Sequence, residues 1–250
     1  MAGLTAEETV QEADRLVHDV GTVWMLHEDT RARGAQYGYP KILPFYFAGR
    51  GGVLGNVDAG VVIAAMGYWQ PDLVRKMWDR GLAVASAREG ARRYGQACVS
   101  WAHDHLAGFA PADRLAELAD RVVTSAEECG LPLFAGWRAE ARADDAPARM
   151  LQLIHVMREW RGAVHLVATT AAGLGPLEAI LTNEGPQQAA FFGWRGDLPD
   201  CAHLKERHVQ AQETTDRLIA DVYERALTPE ERAEFVELVR TLAAKVLGRV

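Results

Sequence analysis

Within residues 155–165 the chain gathers His155, Arg158, Glu159, Arg161 and His165 into one otherwise apolar stretch. Charged groups among apolar neighbours must be paired, hydrated or put to use. At about 100° per residue in a helix, Arg158, Gly162, His165 and Thr169 share a stripe. Arg161 lies on one flank of it, and His155 and Glu159 on the other. Arginine suits a carboxylate, sulfate or phosphate, because its planar fork donates two parallel hydrogen bonds. Histidine near neutral pH, or Glu159, is the natural proton donor or acceptor beside it. Leu151, Ile154 and Leu166 fall in the same arc, so internal ion pairing is the structural alternative to chemistry.

A shorter run, Arg50-Gly51-Gly52-Val53, follows the aromatic stretch Phe45-Tyr46-Phe47 and matches Arg161-Gly162-Ala163-Val164. Each run leads into a helix, a glycine turn (Gly67 or Gly173) and a second helix opened by Pro71 or Pro176. The shared plan predicts two related units, with Arg50 and Arg161 facing one pocket from equivalent places. The expected anion-binding groups are Arg50, Arg158 and Arg161, walled by Tyr46, Trp69 and Trp160, with Tyr37 and Tyr39 as further aromatics. His165, Glu159 and His155 are the candidates for moving a proton.

The elements that must position these groups read as almost entirely helical, giving an all-α class. The organisation expected is a first winged-helix-like unit over 1–138, a linker over 139–147 and a second unit over 148–250 with two closing helices. Thr5 to Glu8 and Thr228 to Glu231 are capping boxes. Residues 34–44, rich in Gly, Tyr and Pro, predict an ordered loop, and Gly162 predicts a weakened or kinked helix. Residues 191–199 are the one place for a short strand pair or wing.

The composition excludes several function classes. The chain has 250 residues, 49% hydrophobic, with net charge −7, an ordinary globular balance that argues against broad nucleic-acid binding. Helix, glycine turn and short helix is the helix-turn-helix plan. Residues 176–183 carry Glu178 and no Lys or Arg, whereas the helix from Pro71 offers Arg75, Lys76 and Arg80 to a phosphate backbone. Cys98, Cys129 and Cys201 form no metal or disulfide signature. His18, His27, His103, His105, His203 and His208 lack metal-pair spacing along the chain. No phosphate loop, dinucleotide fingerprint or nucleophile elbow is present. No cofactor or metal is therefore expected. No stretch approaches the ~20 apolar residues of a membrane span, and residues 1–8 are acidic, so a cytoplasmic location is expected.

Tyr46-Phe47-Ala48-Gly49-Arg50 with Leu54-Gly55, and Arg158-Glu159-Trp160-Arg161-Gly162 with His165, resemble the two signature stretches of an actinobacterial family with a helix-turn-helix fold. The resemblance implies descent from a transcription regulator. It departs at Ala163, where that family commonly has an aspartate after Arg-Gly. Thr214 to Leu218 and Leu227 to Glu231 resemble the last helices of winged-helix regulators of the multiple-antibiotic-resistance type, which implies a homodimer. The leading reading is a protein that binds a small anionic molecule between its two units. A cofactor-free enzyme performing an elimination or ring closure is the first alternative, and a ligand-responsive transcriptional regulator the second.

Overall fold

Helix α1 (Ala6–Val23) sets the pattern for the molecule. Thr5 Oγ1 accepts from the Glu8 amide at 3.1 Å and Glu8 accepts from the Thr5 amide at 2.8 Å, so two orphan donors at the helix start are satisfied reciprocally. Val10, Ala13, Val17 and Val20 then bury one stripe at helical spacing. The computed structural model describes residues 3–248, and among them thirteen α-helices and two short 3-10 turns occur, with no strand.

The central element is α9 (Ala146–Ala171), capped by Asp145, whose side chain accepts from the Ala148 amide. It packs against α1, α6 (Ala87–Leu106), α7 (Ala112–Ser125), α8 (Pro132–Arg138) and α12 (Lys205–Ala226). Its burial explains its nearly all-round apolar sequence. Gly21 permits the close crossing of α1 and α9, because a Cβ there would lie 2.7 Å from Arg158 Cβ. Among the described residues no single helix is long and apolar enough to cross a membrane. Helix α9 continues to α10 (Pro176–Asn183) only through a 104° bend.

Helix α3 (Ile42–Gly51) is buried from Pro44 to Gly51 and packs on α5 (Pro71–Leu82) and α6. The loop expected over 34–44 is shorter than that. Helix α2 (Glu28–Gln36) occupies its start, and α3 its end. Pro44 sits in the first turn of α3, where a missing amide removes no helical bond. Gly162 does not interrupt the helix, since α9 runs through it. A wing over 191–199 is likewise not formed. The segment follows α11 (Pro186–Phe191) and satisfies its polar groups irregularly, Trp194 Nε1 donating to Tyr68 O and the Gln70 amide to Phe192 O.

One main core runs from Ala6 to Ala243 and includes residues on both sides of 139–147. Those nine residues are held by Arg142, which donates to the carbonyls of Trp137, Arg138 and Glu140. Helix α13 (Pro229–Leu247) opens on the Thr228 capping box and buries Phe235, Val236, Val239 and Leu242 inside the chain, packed on α1 and α7. Helix α4 (Ala59–Met66), the Gly67 turn (φ 70°) and α5 form a helix-turn-helix arrangement. The end of α9 leads through Gly173 (φ 72°) into α10.

Candidate functional site

A cavity of about 470 Å³ lies among α1, α3, α9, α10, α11 and α12. That is large enough for a drug-sized molecule. Arg50 and Tyr46 reach it from α3, Arg158, Glu159, Arg161 and His165 from α9, and Asp14 from α1. Trp69, Phe191 and Phe192 form an aromatic side, with Trp69 5.5 Å from both the Tyr46 and Phe191 ring centres. Phe191 is half exposed at the rim.

The two sequence signatures meet directly here. Arg50 grips Glu159 bidentately, Nε to Oε1 at 2.7 Å and Nη2 to Oε2 at 2.8 Å. Its remaining nitrogen donates to Tyr46 OH at 2.9 Å and to Met66 Sδ at 3.1 Å. Arg158 Nη1 also donates to Glu159 Oε1, at 2.8 Å, and Arg158 Nε to Thr22 Oγ1 at 3.3 Å. Burial by itself would raise the Glu159 carboxyl, but Arg50 and then Arg158 outweigh it and hold it well below the usual carboxylate range. Two guanidiniums therefore share one carboxylate, and the group carries a net positive charge in a partly dry place. Arg158, with one-seventh of its side chain exposed, has a nitrogen left for a ligand.

Arg161 lies apart from this group and pairs with Asp14 across the α1–α9 crossing. It is not the partner of the Arg50 site that the matching runs suggested, although both arginines line the same cavity. His165 Nδ1 is 2.9 Å from Thr215 Oγ1, and the Thr215 hydroxyl proton goes to the Ala211 carbonyl at 2.7 Å. Thr215 must therefore accept from His165, which puts the ring proton on Nδ1 and leaves Nε2 as an acceptor. Burial first, then Arg161 and His208, lowers the His165 pKa to about 4, so the ring is neutral at pH 7. Asp216 nearby is raised by burial.

Four sequence candidates lie elsewhere. His155 is buried on the far side of Glu159, with its ring centre 5.1 Å from Trp24 and 4.8 Å from Trp137. Its Nε2 is 3.9 Å from Glu159 Oε1, and it borders a second cavity rather than the first. Trp160 packs in the core against Phe134 and Tyr223. Tyr37 and Tyr39 pack on Phe45, away from the cavity. Asp14, Thr215 and Tyr68 were missed by sequence reasoning. Asp14 had a signal, an acid on the Val10–Ala13–Val17 stripe of α1, whereas Thr215 and Tyr68 had none.

Gly162 faces the cavity, and a Cβ built on it meets nothing within 4 Å. A mid-helix glycine costs about 1 kcal/mol relative to alanine, and no neighbour here forbids alanine. The position keeps space open at the expense of helix stability.

On the surface, α5 exposes Arg75, Lys76 and Arg80 together with Asp72 and Asp79. Helix α10 presents no basic residue, and its Glu178 accepts from the Gly175 amide at the helix start. The model of a helix-turn-helix family matches residues 10–202 of the chain. Comparison with curated proteins and with solved structures yields no significant match.

Proposed function

The chain belongs to the helix-turn-helix family, and from that premise we propose that it binds a small anionic molecule with an aromatic or apolar body in the α1–α3–α9 cavity. The observation that carries the proposal is the pair of guanidiniums, Arg50 and Arg158, sharing Glu159 at the cavity wall. A carboxylate or phosphate beside Arg158 would complete the charge balance and receive charge-assisted hydrogen bonds. The aromatic side formed by Trp69 and Phe192 suits the apolar body, and neutral His165 would accept from a ligand hydroxyl or amide. The open space at Gly162 is consistent with an occupant.

Binding fits better than proton-transfer catalysis. Glu159, held far below neutrality, and His165, with pKa about 4, are both weak bases at pH 7. Native mass spectrometry of the purified protein tests the proposal. Wild type should carry a small-molecule adduct, or take up phenyl phosphate, and Gly162→Leu should not. Equal uptake by the two proteins would refute the assignment of the cavity.

A second reading, DNA contact through α5, rests on family membership and on Arg75, Lys76 and Arg80, which make no ion pair among the described residues. If it holds, anisotropy with the protein's own promoter DNA should show binding that weakens steeply with salt. Arg75→Ala with Lys76→Ala should abolish it. No binding at low salt ends this reading, while the cavity proposal stands independently.

A further inference from the structure

His27, Asp29 and His105 are far apart in the sequence yet offer three ligand atoms within 4.8 Å of one another. His27 caps α2, Asp29 lies in its first turn, and His105 lies in the last turn of α6. We propose that they form a site for a divalent transition cation of the zinc class, outside the cavity described above.

Each of the three groups already has a hydrogen-bond partner at this corner. His27 Nδ1 accepts the Asp29 amide proton at 3.2 Å, so that nitrogen carries no proton of its own. Asp29 Oδ2 also lies 3.2 Å from the same nitrogen. His105 Nε2 reaches that oxygen at 2.7 Å. A cation here would displace the proton between His105 Nε2 and Asp29 Oδ2 and take the His27 Nδ1 lone pair from the Asp29 amide. Two imidazoles and one carboxylate are a donor set suited to zinc, cobalt or nickel, leaving coordination positions open for water.

The rings are already oriented. His105 stacks on Trp101 with centroids 4.3 Å apart and planes 20° apart, and His27 meets Trp101 edge-on at 5.8 Å. His105 lies in the last turn of α6, whose negative end favours a cation, and the Asp29 carboxylate offsets the positive end of α2. Bound metal would tie the corner after α1 to the end of α6. Met25 and Leu26, immediately before His27, line the cavity, so one wall of it would be stiffened.

Calorimetric titration of the full-length protein with Zn²⁺, and with Co²⁺ followed by its visible ligand-field band, tests this. Wild type should bind a single ion per chain and gain thermal stability with it. His105→Ala and Asp29→Asn should each weaken binding by at least about tenfold, a loss typical of removing a metal-site partner. Asp29→Asn keeps the side-chain size at a half-exposed position, so its fold can be checked independently by circular dichroism. His103→Ala should bind as wild type, since His103 pairs with Asp145 instead. Absence of a Co²⁺ band in wild type, or undiminished binding by Asp29→Asn and His105→Ala, overturns the proposal.

Discussion

The two arginine sites on the cavity wall differ in stoichiometry as well as in burial. Around Glu159, Arg50 and Arg158 converge on one carboxylate with side chains 8% and 14% exposed. Around Asp14, Arg161 forms a one-to-one pair at 19% exposure. The first group has excess positive charge and hydrogen-bonding capacity to spare, whereas the second is neutral and closes the α1–α9 crossing. Similar sequence runs thus place their arginines in different pairings. Arg50 shares the Glu159 carboxylate with Arg158, whereas Arg161 pairs with Asp14.

The largest effect should come from breaking the first group. Glu159→Gln leaves two guanidiniums near each other with no counter-charge, and removing one partner of a buried pair costs about 3–5 kcal/mol. Chemical denaturation should show this loss, and a stability unchanged within 1 kcal/mol, an order-of-magnitude threshold well below that cost, would show that the group is hydrated rather than buried. Next comes pH. Burial lowers His155 from 6.5 to about 4, so the unfolded chain takes up the proton first as pH falls. Stability should be intact above 6.5 and decline through the window down to about 4, by up to about 1.4 kcal/mol per pH unit. His165, lowered to about 4 as well, adds to the same window, so His155→Leu should reduce that slope without abolishing it.

Breaking the second group should do less. Asp14→Asn or Arg161→Ala should cost about 1.5–3 kcal/mol, the range of a hydrogen bond to a charged group, because Asp14 is buried, and should leave anion binding largely intact. Gly162→Ala should have the smallest effect on stability and the opposite sign. It should stabilise the helix by up to about 1 kcal/mol while weakening ligand uptake, which thermal melts and native mass spectrometry read separately.

Much of the fold was legible because its signals are local. The boxes at Thr5 and Thr228, the stop at Gly67 and the prolines at Pro71 and Pro176 mark helix ends by hydrogen-bond and backbone constraints that neighbours do not override. The start of α3 was hidden because residues 34–44, rich in Gly, Tyr and Pro, read as loop, whereas from Pro44 onward the helix is buried against α5 and α6. The same holds for Gly162, whose propensity cost is outweighed by the packing of the rest of α9. The residues of the candidate site were visible as charges in apolar sequence, but their pairing was not. Nothing along the chain joins Arg50 to Glu159, 109 residues on, or His105 to Asp29. Those encounters are products of topology.

The central claim is that the Arg50–Glu159–Arg158 group gives the cavity a preference for anions. Calorimetry comparing benzoate and phenyl phosphate with neutral benzyl alcohol, at one pH and salt concentration, tests it most directly. Tighter binding of the anions, lost in Gly162→Leu, is the predicted result. Benzyl alcohol binding as well as either anion, or anion binding unchanged in Gly162→Leu, would contradict it.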